Sequence, residues 1–181
     1  VDAAGSTTGL SWGDRIALIG RGSAWDLALA PGDLGDISLV LASTESTVAL
    51  AGGRANSVDV TATASRVTLD LSSSDVKTVS TTTTFGQLSL IVAANADLAG
   101  RLTITGGSVR ICTGPANGLA AAGLRVTGRG FADHVTIAGD GQRGGVIDYE
   151  SPGYAAATHH ADLRVNASFG SIEIDPIGGC R

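Results

Sequence analysis

"DLRVNASFGSIEID", residues 162–175, joins two apolar-polar-apolar steps through a small-residue corner containing Phe-Gly. The chain carries nearly the same phrase much earlier, as "VSTTTTFGQLSLIV" at residues 79–92. Alternation with period two inside each step marks short strands rather than helix. Phe85 and Phe169 stand 84 residues apart, four times 21, so the phrase reads as the same corner in two turns of a repeating structure.

The same step recurs at Val48-Ala49-Leu50, Val67-Thr68-Leu69, Leu88-Ser89-Leu90, Val109-Arg110-Ile111, Val135-Thr136-Ile137 and Ile172-Glu173-Ile174. The first four start 19, 21 and 21 residues apart. Nine residues before a step lies an apolar partner at Leu39, Val58, Val79, Val126 or Leu163, while the fourth unit slips to Leu102 and Ile104. One such unit has too little core to stand alone, so neighbours must stack. The geometry expected is an all-β, single-stranded, right-handed β-solenoid (β-helix) of roughly 19–21-residue coils, stacked about 4.8 Å apart. An antiparallel β-sandwich is the alternative; it matches the alternation but not the equal coil lengths.

The 181 residues suit a single domain spanning 1–181, with an N-terminal cap over 1–35 and coils over 36–181. Trp12 and Trp25 are candidates for covering the open strand edge of the first coil. The count breaks over 139–161, a Gly-rich irregular loop with both tyrosines and two of the three histidines. Apolar residues make up 43% but aromatics only 4%, and there is no Met, so a narrow core of Val, Leu, Ile and Ala is implied. A net charge of −5 and a single lysine, Lys77, argue against nucleic acid, which needs a basic stripe. No apolar run approaches the roughly 20 residues that span a bilayer. The chain begins at Val1, which suggests a portion of a longer polypeptide; membrane attachment would then come only through segments absent from this chain.

The phrases "WDLALAPGDLGDISLVLASTESTVALAG", "SVDVTATASRVTLDLSSS", "TVSTTTTFGQLSLIVAANADLAGRLTI" and "LRVNASFGSIEI" together resemble the toast-rack and LiaF-like cell-envelope domains of bacteria, and the related β-helical adhesin domains. The resemblance covers roughly residues 24–175. It implies an extracytoplasmic location, at the cell surface or secreted, and a role in envelope-stress sensing or adhesion, with a protein or cell-wall glycan as partner. The family carries no established catalytic residues, and its corner phrase "GAGD" is replaced here by Ala64-Ser65-Arg66 and Phe85-Gly86-Gln87.

Candidate chemistry is sparse. Cys112 and Cys180 permit one disulfide or two buried thiols. Tyr149, Tyr154, His159 and His160 form the candidate partner surface, since aromatic rings with polar tips suit interfaces. Consecutive histidines on a strand face opposite ways, so His159 and His160 are expected to hold no metal together. Asp133-His134 could orient an imidazole but lacks a GxSxG nucleophile, and Gly139–Gly144 matches GxGxxG without a following helix. Neither catalytic residues nor a cofactor are therefore expected, and the working expectation is a non-enzymatic module for sensing, adhesion or scaffolding. A polysaccharide-active enzyme using Asp133, Asp140, Asp148 and Glu150 is the alternative. A third is ice binding by the Thr-x-Thr pairs at 61–63, 81–84 and 103–105.

Overall fold

The structure, a computed structural model, describes residues 15–21, 24–29, 31–93, 95, 97–113, 123–130, 135–137, 140–142 and 145–175. In chain order the strands are β1 (Arg15–Arg21), β2 (Ala24–Ala28), β3 (Gly32–Ala42), β4 (Glu45–Ala49), β5 (Gly53–Thr63), β6 (Arg66–Asp70), β7 (Asp75–Val92), β8 (Leu98–Thr113), β9 (Gly123–Arg129), β10 (Val135–Ile137), β11 (Asp140–Gln142), β12 (Val146–Glu150), β13 (His160–Ala167) and β14 (Ser171–Ile174). Among the described residues the only helical element is a 3-10 turn at Tyr154–Ala156.

Parallel pairing decides between the two architectures. One ladder runs β1-β3-β5-β7-β8-β13-β9, parallel throughout, and the other runs β2-β4-β6-β7-β8-β14-β10 in the same way. The long strands β7 and β8 belong to both ladders because they pass through the corner. The molecule is thus a parallel-stacked β-solenoid, not a sandwich of hairpins. At its far end β12 and β11 run antiparallel to β9 and β10 and occupy edges that would otherwise be open. Residues 15–28, within the segment read as a cap, supply β1 and β2, which continue both ladders in register; Trp12 lies outside the described residues.

The turn length is more regular than the apolar steps suggest. Ser46 pairs with Val67, Val67 with Leu88 and Leu88 with Val109, a constant 21. The 19-residue interval arose because Ser46 holds a core position that a search for apolar residues passes over. Its burial is tolerated because its hydroxyl donates to Thr44 Oγ1 at 2.9 Å. The slip in the fourth unit has a similar cause. Ile37, Val58, Val79 and Gly100 form one inward column. A Cβ on Gly100 would fall on Leu163 Cδ2 and stand 2.9 Å from Val79 Cγ1, so its neighbours fill the column instead.

The turns do not stack in chain order. The final segment inserts between two earlier ones: β13 pairs with β8 on one side and β9 on the other, while β14 lies between β8 and β10. Leu163 and Val165 are therefore buried inside the stack, with Ile172 and Ile174 opposite. All four join one cluster that includes Leu39, Leu69, Leu90, Leu102 and Ile111. Each such side chain contributes ~1.5–3 kcal/mol by leaving water.

Four successive corners use left-handed backbone at the same place: Ser43 (φ 55), Ala64 (φ 50), Phe85 (φ 52) and Gly106 (φ 73). Such φ values are uncommon for residues other than Gly. They are held by cross-turn bonds such as Ser43 N–H to Thr63 O and Ala64 N–H to Thr84 O, both 2.9 Å. The next position is Thr44 and Ser65 in the first two of these corners and Gly in the later ones, at Gly86, Gly107 and Gly170, where successive turns nearly touch. A Cβ on Gly107 would meet Gly86 O, and one on Gly170 would meet Gly107 O. The Phe-Gly phrase is therefore architectural at its Gly. Its rings, Phe85 and Phe169, stay exposed.

Candidate functional site

The segment 139–161, read from sequence as an irregular loop, contains β11, β12 and the 3-10 turn, and Ile147 of β12 is buried in the core. Its four singled-out residues separate into a structural tie and a surface cluster. Tyr149 is the tie: half-buried, it packs on the core and donates from Oη to Asp175 Oδ2 at 2.7 Å. Burial, then that bond to a carboxylate, pushes its hydroxyl above the usual tyrosine range.

Tyr154 and His160 belong to the cluster, with His159 at its edge. The Tyr154 ring lies over the Arg125 guanidinium at 4.2 Å and against the His160 ring at 4.6 Å, tilted by 57°. Its hydroxyl donates to Asp162 Oδ1 at 2.9 Å. Desolvation and then the Asp162 bond raise the Tyr154 hydroxyl above its ordinary value. Arg125 is also held by Glu150, with Nη2 at 2.8 Å and Nε at 2.9 Å from Oε1. These contacts follow from register, since Asp162, Arg125 and Glu150 are successive residues of one outward column across β13, β9 and β12.

His159 and His160 diverge. His159 Nδ1 lies 2.9 Å from Asp97 Oδ2, and the His160 amide donates to Asp97 Oδ1 at 3.2 Å. The His159 bond, then the amide bond, holds the Asp97 carboxyl below the usual carboxylate range. Among the described residues no group of three His, Cys, Asp or Glu side chains is placed to hold a metal ion. Cys112 is disulfide-bonded; the other cysteine of the sequence, Cys180, lies outside the described residues.

The carboxylates named for glycan cleavage are dispersed in role. Glu150 is bound to Arg125, Asp148 faces outward beside Thr127, and Asp133, with His134, lies outside the described residues. Asp140 lies on β11, opposite Ile137. Residues 140–142 of the GxGxxG match form that strand, and the next described element is also a strand.

The threonines divide by alternation. Thr81 and Thr83 point inward and are buried. Thr82 and Thr84 face out, in register with Thr61 and Thr63 before them and Thr103 and Thr105 after. The outward array therefore excludes half of the Thr81–Thr84 run.

Sequence reasoning passed over a shallow depression beside the tyrosine cluster. Thr78, Ala99, Gly100, Arg101, Asp162 and Arg164 are among the residues that line it. The strand register signals it: small residues in β8 sit between larger ones in β7 and β13.

No protein-family model matches the chain, and no curated protein matches it. Among solved structures the chain is similar to one described as a "putative cell adhesion protein" from Clostridium sporogenes ATCC 15579. The likeness covers 86% of this chain and 92% of that one, with 12% identity and a TM-score of 0.55. At that identity the likeness is one of fold.

Proposed function

We propose that the chain is a non-enzymatic, extracytoplasmic module of a bacterial envelope protein, a stiff β-solenoid that presents flat side-chain arrays for adhesion or sensing. The carrying observation is the 21-residue register from β1 to β8, interrupted at a bulge around Gly35 of β3, which lines outward residues up in straight columns. Each strand between the ends has partners on both sides, so the wall resists bending and its columns keep their spacing. A fold neighbour described in terms of cell adhesion supports the reading, as does the resemblance of the sequence to toast-rack and LiaF-like domains. No helix among the described residues is long and apolar enough to cross a membrane.

The direct test is binding of the chain to isolated bacterial envelope material, compared with a Tyr154→Ala/His159→Ala variant. Deleting 141–157 would remove Ile147 from the core, so surface substitutions are the cleaner probe. Saturable binding supports the module; its absence in a folded chain contradicts it.

The outward threonines favour a second reading. Thr61, Thr82 and Thr103 form one column and Thr63, Thr84 and Thr105 the next. Strand geometry spaces their hydroxyl and methyl groups by about 4.8 Å between turns and about 6.6 Å along a turn. Such a lattice can order water, and ice binding predicts thermal hysteresis that Thr82→Tyr abolishes. No hysteresis in the parent chain removes this reading.

A further inference from the structure

Arg101 of β8 and Arg164 of β13 are register partners on adjacent parallel strands, both exposed and both outward. Like charges directly opposite one another on a sheet are destabilising. Elsewhere the fold avoids this: Arg54, Arg66, Lys77, Arg110 and Arg125 each sit against an Asp or Glu. No acidic side chain among the described residues lies within 4.0 Å of Arg101 or Arg164. The residues before and after them in the column are Ser80 and Thr127, which carry no charge to offset the pair.

The pair also borders a depression. Beside it the column passes through Thr78, Ala99 and Asp162, and Ala99 leaves a gap between its larger neighbours. Two adjacent arginines lining one depression suit a planar oxyanion, since each guanidinium presents a fork of N–H donors.

We propose that this depression binds the carboxylate of an acidic sugar residue, a uronate within a polysaccharide. Arg101 and Arg164 take the carboxylate, while Asp162 and Thr78 take neighbouring hydroxyls. Asp162 Oδ1 accepts from Tyr154, and Oδ2 retains acceptor sites for a ligand O–H. The same acid distinguishes the ligand class. With Asp162, Asp148 and Glu150 nearby and a chain charge of −5, a phosphate-dense polymer is repelled, whereas a single carboxylate flanked by hydroxyls is matched. The assignment rests on the adhesive reading and names its ligand.

The test is a titration of the full chain with an oligogalacturonate, followed by amide and Arg side-chain NMR shifts. The fully methyl-esterified oligomer and inorganic polyphosphate run alongside. The proposal expects saturable shifts at 99–101 and 162–164. Affinity should weaken at least tenfold, about 1.4 kcal/mol, in each of Arg101→Gln and Arg164→Gln, and stay unchanged in Arg66→Gln on the other ladder. No binding, equal binding of the ester, tighter binding of polyphosphate at these residues, or full affinity in both Arg variants overturns it. Envelope binding without oligogalacturonate binding overturns this assignment and leaves the adhesive reading standing. Oligogalacturonate binding without envelope binding supports the site and removes the adhesive reading.

Discussion

Leu163 occupies the space that a side chain on Gly100 would need, although the two residues come from distant parts of the chain. The contact exists because the last segment is inserted beside β8, and it gives Gly100 a packing role rather than a turn role. Gly100→Ala should destabilise the fold by ~1–3 kcal/mol through overpacking. Leu163→Ala should cost ~2–5 kcal/mol by opening a cavity. The double variant should lose less than the two costs combined, because the smaller residue at 163 makes room for the methyl group. Urea unfolding of the four proteins measures the coupling; strict additivity would remove the contact.

The hydroxyls of Thr81 and Thr83 are buried with no hydrogen-bond partner among the described residues. Each stands in an inward column, Thr81 between Val60 and Leu102 and Thr83 between Ala62 and Ile104. Thr→Val keeps the shape and removes a buried group that cannot be solvated. Each substitution should stabilise by ~1–3 kcal/mol. Thermal unfolding reads the sign, and destabilisation by either change would show that its hydroxyl is satisfied.

Asp97 gives a dependence on acid. Its carboxyl lies below the ordinary range when folded, mainly through His159, so its contribution is complete above the unfolded-state value. That contribution is lost as pH falls through the lowered folded value. The 13C carboxyl shift of Asp97 should titrate below that of an Asp in an unstructured peptide, and His159→Ala should move the midpoint up. An unshifted midpoint would contradict the geometry.

Sequence reading found the repeat because apolar alternation reports directly on burial. It missed the true register where burial and hydrophobicity part company, at Ser46, which is buried with a hydroxyl partner, and at Gly100, which has no side chain to count. It did not find the insertion of the last turn. Leu163 borders both Gly100 and Val126, whereas stacking in chain order would place it beside Val126 alone, and nothing local signals the second neighbour. The surface was less legible still. Tyr149 and Tyr154 look alike in sequence, yet one ties β12 to Asp175 and the other covers Arg125. Arg101 and Arg164 become a pair only after the final segment is placed.

The order of the turns underlies both the core packing and the proposed ligand site, and inter-strand nuclear Overhauser effects measure it directly. The account predicts backbone contacts from Val165 to Leu102 on one side and to Gly128 on the other, with none between Leu102 and Gly128. Direct contacts between residues 98–105 and 123–129, with 160–167 bordering only one of them, would contradict it.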